Sequence, residues 1–494
     1  MSLRNISRPR ASRSCDNCRA VKRRCDQQIP HCGQCTRLRE KCPGYRDDWE
    51  LIFRDQTDRT IRRAKEKSAK CASASGASYS PSPISCPGPS IDEIGVNYFL
   101  HNFVIGGHSP SRGFLNYIPT VFNADNQHPT LVASMAAVGL VALANSTQQP
   151  ELVSHARIKY SEAIRNVNAA LASPVESLKD STLMSVISLG LFEHVSNFES
   201  WVRHVQGAAA LVVARGKGQF SSPAQILMFN QVRADMVVVC LHQRQSFPDN
   251  MRELQEEATK NMNASCGFWL LGTLAVRCVN LYESLVNNTG GTPDSAFLEE
   301  GTFIQHDFQH VPGLLATEEP YTTTLDSGGD PQVFYNGRFD LYRSSWAIRL
   351  WNNWRMLQLC VCEIMCYLLK KVLVTELEPV VRTHMTQKLQ ESLQILSKLV
   401  DDILATVPQA LGLISPTSES EHDSSNASSP ASVPGGYMLI WCLYLAGKSP
   451  NIRSPTRKWI IQRLQAIGET AGNAMALQLL QDIIRIDQSS VGHQ

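Results

Sequence analysis

The sequence lacks the residue patterns that mark common enzyme classes. It contains no HExxH motif, no glycine-rich phosphate loop, no G-x-S-x-G motif and no constellation of paired carboxylates. Its 13 histidines show no metal-binding spacing. These absences predict that the protein is not an enzyme.

Long apolar runs are also scarce. Leu131–Ala144 has 14 uncharged, mostly apolar residues, whereas a membrane-spanning helix needs about 20. Residues 1–14 contain no apolar segment of the kind found in secretory signals. We therefore expect a soluble protein without a membrane partner, in which residues 131–144 form a buried core helix.

Aromatic residues are missing from the basic N-terminal segment, since residues 8–44 contain no Phe, Tyr or Trp. Proteins that bind single-stranded RNA usually stack the bases on aromatic side chains that lie among basic ones. Their absence argues against the alternative hypothesis, a zinc-containing RNA-binding or scaffolding protein.

Cysteine, by contrast, is concentrated in this segment: six of the 15 cysteines lie within 28 positions. The pattern is C-x2-C-x6-C, a six-residue gap, and C-x2-C-x6-C again, so the second half repeats the first at an offset of 17 residues. The six are Cys15, Cys18, Cys25, Cys32, Cys35 and Cys42. A disulfide framework is the alternative, but the missing signal and the scatter of the other nine cysteines indicate a reduced compartment.

This density of thiols predicts zinc, which prefers four tetrahedral ligands and binds sulfur well. Six thiolates can fill the eight coordination positions of two zinc ions if two of them bridge both metals. The repeat favours Cys15 and Cys32, the first cysteine of each half, as the bridges. The other two pairs would each complete one site: Cys18 with Cys25, and Cys35 with Cys42. We therefore expect two Zn²⁺ per chain.

The same segment is strongly basic. Residues 1–46 carry twelve Lys or Arg against three acids, a net charge of +9, and residues 1–70 carry a net charge of +10. The rest of the chain has a net charge of −8. A basic head on a mildly acidic body indicates that the head binds a polyanion.

These residues resemble the fungal binuclear zinc cluster transcription factors, the six-cysteine, two-zinc type. The resemblance implies that a first short helix, after the first C-x2-C, meets the major groove of double-stranded DNA and reads a CGG triplet. Lys22 matches the lysine that contacts the guanines, whose O6 and N7 atoms accept hydrogen bonds. Arg19, Arg23 and Arg24 are expected to contact phosphates. Val21 departs from the family, which commonly has a basic residue there.

The chain divides into segments of different composition. Residues 1–46 form the predicted zinc cluster DNA-binding domain, and residues 47–70 a basic post-cluster segment that has no a/d heptad for dimerisation. Residues 71–90, rich in Ala, Ser, Gly and Pro, are typical of a flexible linker. Residues 91–490 have the apolar spacing of an all-helical domain, with a Ser-rich disordered loop predicted at 415–434.

The helical body shows its strongest periodicity in ten segments: 130–146, 150–172, 175–196, 198–215, 222–242, 341–373, 376–406, 436–447, 456–468 and 472–486. Within it, Ser200–Ala208 followed by Arg215–Gly216 is similar to a signature of the fungal-specific transcription factor domain. Trp346, Leu350 and Trp354 share one helix face, which we interpret as core rather than as an effector pocket.

The predicted fold is a small zinc-stabilised DNA-binding module, with two short helices around a binuclear cluster, joined to a large all-α regulatory domain. The predicted function is sequence-specific regulation of RNA polymerase II transcription in the nucleus, with double-stranded DNA and the transcription machinery as partners. A homodimer would form through the helical domain. The resemblance also implies control of a metabolic pathway or a biosynthetic gene cluster.

Overall fold

The structure, a computed structural model, divides by its internal contacts into two units, Met1–Pro87 and Gly88–Gln494. The described residues are 14–28, 31–44, 88–106, 113–125, 128–260, 262, 266–326, 328–414, 433–470 and 473–491. The predicted post-cluster segment at 47–70 lies outside these residues, as does nearly all of the predicted linker at 71–90. Both assignments therefore stay predictions.

The described part of the first unit, residues 14–28 and 31–44, is called the cluster module below. It contains two five-residue helices, α1 (Asp16–Ala20) and α2 (Gly33–Arg37), which confirms the prediction of two short helices. The expectation that the first helix follows the first C-x2-C is wrong, because α1 begins directly after Cys15 and ends before Lys22.

The second unit, called the helical body, contains 17 α-helices among its described residues. They are α3 (Ile91–Phe103), α4 (Ile118–Ala124), α5 (Pro129–Thr147), α6 (Pro150–Leu171), α7 (Asp180–Ser196), α8 (Phe198–Arg215), α9 (Pro223–Gln243), α10 (Asp249–Thr259), α11 (Gly267–Val286), α12 (Asp294–Phe308), α13 (Val311–Glu318), α14 (Ser345–Leu373), α15 (Pro379–Leu404), α16 (Val407–Ala410), α17 (Val433–Lys448), α18 (Ser454–Thr470) and α19 (Ala474–Val491).

The described residues also contain four short strands, which form two antiparallel pairs. One pair joins β1 (Ile105–Gly106) to β2 (Gly113–Phe114), and the other joins β3 (Tyr321–Leu325) to β4 (Arg338–Tyr342). The predicted start of the helix at 341–373 is wrong. Leu341 and Tyr342 belong to β4, and the helix α14 begins at Ser345. The predicted loop at 415–434 lies outside the described residues up to 432 and stays a prediction there, whereas 433 and 434 belong to α17.

The core of the N-terminal half forms around α5, which packs against α3, α6 and α7. Gly139 on α5 meets Gly95 on α3 so closely that a Cβ at either position would overlap the backbone of the other helix. Most of α5 is buried, as predicted for residues 131–144. The two glycines therefore set the close crossing of α3 over α5.

The C-terminal half is organised by α14, a 29-residue helix that packs against α15, α12, α17 and α11. Buried charges connect β4 to α14 and α15. Arg338 donates to Asp402 at 2.6 Å, and Arg355, which is fully buried, donates to the Tyr342 hydroxyl at 2.7 Å. Each of these guanidiniums has hydrogen-bond acceptors, which offset the loss of its hydration.

Two helices, Pro129–Thr147 and Pro223–Gln243, are long and apolar enough to cross a membrane by length and composition alone. In both, most of the apolar stretch is buried inside the helical body, 72% in the first and 61% in the second. Such burial is typical of core helices. The second of these helices coincides with the helical segment predicted at 222–242.

A buried histidine on α7 should make the stability of the helical body depend on pH. The His194 side chain is buried against Trp201 and Tyr437, and burial, with Arg349 adding to it, lowers its pKa to about 3. Histidine in an unfolded chain has a pKa of about 6.5. The unfolded state therefore takes up the proton first, so this contribution to stability is complete above about pH 6.5 and is lost as the pH falls towards 3.

We expect the free energy of unfolding to fall by up to about 1.4 kcal/mol per pH unit through His194 over this range. In urea titrations between about pH 7 and pH 4, His194→Gln should show a shallower decline than the wild type. His384, which is exposed on α15, supplies the matched control His384→Gln, whose decline should equal that of the wild type. Equal slopes for all three proteins would contradict the prediction.

Candidate metal centre and DNA interface

The six cysteines of the cluster module converge on one small volume. Five are buried and Cys25 is half-buried. The Sγ atom of Cys15 lies 3.6 Å from that of Cys32 and 3.7 Å from that of Cys35, and the Cys18 and Cys32 sulfurs are 3.7 Å apart. Thiolates in a tetrahedron with Zn–S bonds of about 2.3 Å lie about 3.8 Å apart. The donor set therefore fits zinc.

The grouping of the sulfurs also bears on how two metals could share them. The Sγ atoms of Cys15, Cys18, Cys32 and Cys35 all lie within 4.8 Å of one another, and Cys32 belongs to a second such group with Cys25 and Asp26. The Cys42 thiol hydrogen-bonds to Cys15 and Cys35. The central sulfurs thus come from both halves of the repeat.

Protonation of these thiols follows from their burial. Burial raises the pKa of Cys15 far above its usual range and raises the pKa of Cys35 to about 11. Hydrogen bonds, first with the Cys32 backbone and then with Gly44, lower the pKa of Cys42. Without a cation the Cys15 and Cys35 thiols are therefore protonated, and metal binding must remove their protons.

The 17-residue repeat of the sequence is also a repeat of backbone structure. Lys22 and Arg39, which are 17 residues apart, both have left-handed backbone angles, with φ of 49° and 55°. In each half the next residue donates its N–H to the carbonyl of the cysteine five positions earlier, at 2.9 Å in both. This is the Schellman motif that ends a helix, and in each half it presents an exposed cationic side chain.

Comparison with protein-family models found one matching domain in each of the two units. Residues 13–49 match the fungal Zn(2)-Cys(6) binuclear cluster domain, and residues 96–260 match the fungal specific transcription factor domain. The chain carries both domains. Searches of curated proteins and of solved structures found no match.

With these domains the chain is a fungal transcription regulator, and its zinc cluster domain binds DNA and two zinc ions. Both families are transcription factor domains rather than enzymes. The resemblance inferred from the sequence and the predicted fold class are thereby confirmed. The second match runs from within α3 to just beyond α10 and covers less than half of the helical body.

The predicted DNA-contacting residues of the zinc cluster domain differ in how exposed their side chains are and in whether they form ion pairs within the domain. Lys22 and Arg24 are exposed, whereas Arg19 is half-buried and forms an ion pair with Asp16 in the same helix. Val21, the departure from the family pattern, is 63% exposed. A basic residue at position 21 would therefore have room to reach a ligand.

Arg23 is held inside the domain rather than extended into solvent. Its Nε donates to the Cys18 sulfur at 3.4 Å, its Nη2 to the Cys35 sulfur at 3.8 Å, and the guanidinium forms an ion pair with Glu40. The hydrogen bond with Glu40 raises the pKa of Arg23 above its usual value. This side chain joins the two halves of the repeat and places positive charge against the sulfurs.

Three further residues of the cluster module, Asn17, Asp26 and Arg39, were not predicted as functional from the sequence. Asn17 donates to the Lys41 carbonyl at 3.0 Å, and Asp26 accepts the Gly33 N–H at 2.9 Å, where a Cβ on Gly33 would overlap the Asp26 carboxylate. Neither contact has a signal in the spacing, because both depend on how the halves fold together. Arg39 did have a signal, since it is the equivalent of Lys22 at the offset of 17.

Proposed function

We propose that the protein is a nuclear, sequence-specific regulator of RNA polymerase II transcription that reads CGG-type triplets through Lys22. The observation that carries the proposal is the placement of Lys22, exposed on the left-handed turn that ends α1, where the following residue donates its backbone N–H to the Cys18 carbonyl. An ammonium fixed beside a short helix can donate to the O6 and N7 atoms of guanine in the major groove.

We assign Cys15 and Cys32 as the thiolates shared by two zinc ions. Their sulfurs are 3.6 Å apart, and each also lies 3.7 Å from a sulfur that belongs to only one of the two proposed sites. The proposed sets are Cys15, Cys18, Cys25 and Cys32 for one ion, and Cys15, Cys32, Cys35 and Cys42 for the other. The ions would hold α1 and α2 together, because the described part of the module has no core beyond its cysteines.

Phosphate contacts are assigned to Arg19, Arg24 and Arg23, in keeping with the net charge of +9 in residues 1–46. Arg24 is exposed and needs no rearrangement. Arg23 would first have to leave Glu40 or act through its charge at a distance. Its main contribution is then to the stability of the cluster, and a direct phosphate contact is the competing role.

Replacing Glu40 with glutamine separates these two roles of Arg23. If Arg23 mainly stabilises the cluster, Glu40→Gln should loosen it, and zinc should be lost to a chelator faster than from the wild type. The matched control is Glu50→Gln, which removes an acid ten residues later in the sequence to which the proposal gives no role. If Glu40→Gln instead binds all DNA sequences more tightly and keeps its zinc, Arg23 is a phosphate-binding residue that Glu40 restrains.

We place any homodimer contact in the helical body, because residues 47–70 have no a/d heptad. Two cluster domains joined through a long linker would then bind paired triplets with permissive spacing. Control of a metabolic pathway or a biosynthetic gene cluster is proposed on the family resemblance alone.

Selection of bound sites from random DNA duplexes, with the zinc-loaded full-length protein, tests the proposed function. We expect enrichment of CGG-type triplets, singly or in pairs of varied separation. An RNA duplex of the same length serves as a competitor and should displace the selected DNA poorly. Equal competition by RNA, or selection without a common triplet, would contradict the proposal.

A further inference from the structure

A cavity lies in the helical body between α9, α11, α14 and α17. Its volume is about 100 Å³, and it is partly open to solvent. Its walls are mostly apolar and include Val238, Phe268, Leu271, Leu350, Met438 and Trp441. Pockets with apolar walls and a few polar groups are the usual sites for small organic molecules.

The first unusual feature of the cavity is a buried cation. Arg233 is 1% exposed, donates to Gln255 at 3.1 Å and to Asn230, and stacks over the Trp269 ring at 4.2 Å. Among the described residues no carboxylate forms an ion pair with it, and burial lowers its pKa to about 9. A buried guanidinium with only neutral partners is energetically unfavourable.

A glycine on the neighbouring helix leaves room for the Arg233 guanidinium. Gly272 on α11 faces Arg233, and a Cβ at that position would overlap the guanidinium. The absence of a side chain at residue 272 thus leaves space for the charge at the cavity wall.

A second cation lines the same cavity. The guanidinium of Arg349 on α14 lies 4.4 Å from the centre of the Phe114 ring, and its Nη1 is buried without a hydrogen-bond partner in the described part of the chain. One acid, Asp235, also lines the cavity and accepts a hydrogen bond from Gln231 at 2.8 Å. Burial raises the pKa of Asp235 to about 6, which disfavours its charged form. The cavity is therefore lined by two arginines and by one acid whose charged form is disfavoured, which favours a negatively charged ligand.

We propose that this cavity binds a small organic acid, with its carboxylate at Arg349 and its apolar body against the helix walls. A carboxylate matches the planar guanidinium and would supply the missing acceptor for Arg349 Nη1. The apolar walls favour a carboxylic acid over a strongly hydrated phosphate. This inference is independent of the proposed DNA specificity.

The test compares two probes of equal shape, 2-naphthoic acid and 2-naphthamide, on the full-length zinc-loaded protein. Isothermal titration should give an affinity for the acid about tenfold or more above that for the neutral amide, as expected of a charge-assisted hydrogen bond. The acid should also raise the melting temperature. Equal affinity for both probes, or no binding of the acid, would overturn the proposal.

Variants then locate the binding site. Arg349→Met should lower the affinity for 2-naphthoic acid about tenfold and leave that for the amide unchanged. The matched control is Arg343→Met, which removes an exposed arginine outside the cavity and should change neither affinity.

Filling the cavity provides a second, charge-neutral variant. Ala234 lines the cavity, so Ala234→Phe should abolish the binding of both probes. Circular dichroism and the melting temperature of the free protein check that each variant is folded. A folded Ala234→Phe variant that binds the acid like the wild type would overturn the proposed site.

Discussion

Cys15→Ser should release both zinc ions, whereas Cys18→Ser should release mainly one. The Cys15 sulfur lies 3.6 Å from Cys32 and 3.7 Å from Cys35, so in the proposed cluster it holds both metals. The Cys18 sulfur would bind only one. Structural zinc contributes on the order of 10–16 kcal/mol to the folding of zinc-finger peptides, so losing both ions should unfold the module and end DNA binding.

The measurement is the zinc content of purified full-length protein after dialysis. We expect two ions per chain for the wild type, about one for Cys18→Ser and close to none for Cys15→Ser. Cys266→Ser, which changes a half-buried cysteine of the helical body, should keep both ions. If Cys15→Ser retained as much zinc as Cys18→Ser, the shared-thiolate arrangement would be wrong.

The cluster module was largely predictable because metal coordination leaves few solutions for six cysteines. The spacing indicated two similar halves, and the structure repeats the same turn at Lys22 and Arg39. The bonds of Arg23 to two sulfurs and to Glu40 were not predictable. They depend on which faces of the two halves meet, and a pattern of spacing contains no information about that.

In the helical body, long helices with a clear apolar face were predicted within a few residues, as for α6 and α8. The four helices α10 to α13 were not predicted individually, although α11 has 20 residues. In the charged helix Asp249–Thr259, for example, only four side chains are buried. The pair of β3 and β4 was missed because the exposed Thr-rich strand Tyr321–Leu325 lacks alternation of buried and exposed residues. Its stability comes from pairing, which is non-local.

The cavity illustrates a further limit of sequence reasoning. Trp346, Leu350 and Trp354 were grouped as one core stripe, yet Leu350 lines the cavity while Trp354 donates to the Phe308 carbonyl at 3.2 Å. The walls of the cavity come from four helices that are far apart in the chain. An isolated arginine such as Arg233 carries no sign in the sequence that it will be buried.

Lys22→Met should remove the preference of the protein for CGG over a scrambled duplex. An ammonium that contacts guanine contributes about 1–3 kcal/mol of discrimination, which corresponds to roughly 5- to 150-fold in relative affinity. Methionine keeps much of the length of the side chain but cannot donate a hydrogen bond. Affinity for the scrambled duplex should change much less, because the phosphate contacts of other arginines remain.

The repeat supplies a matched control in Arg39→Met. Arg39 occupies the equivalent left-handed turn of the second half, with φ of 55° against 49° at Lys22, and is also exposed. Both variants therefore remove one cation and place methionine under the same backbone strain. Only Lys22→Met should lose discrimination, while Arg39→Met should weaken binding to both duplexes alike. An equal loss of discrimination in the two variants would contradict the prediction. It would mean that the turn at Lys22 does not read the triplet alone, and that the turn at Arg39 also contacts the bases.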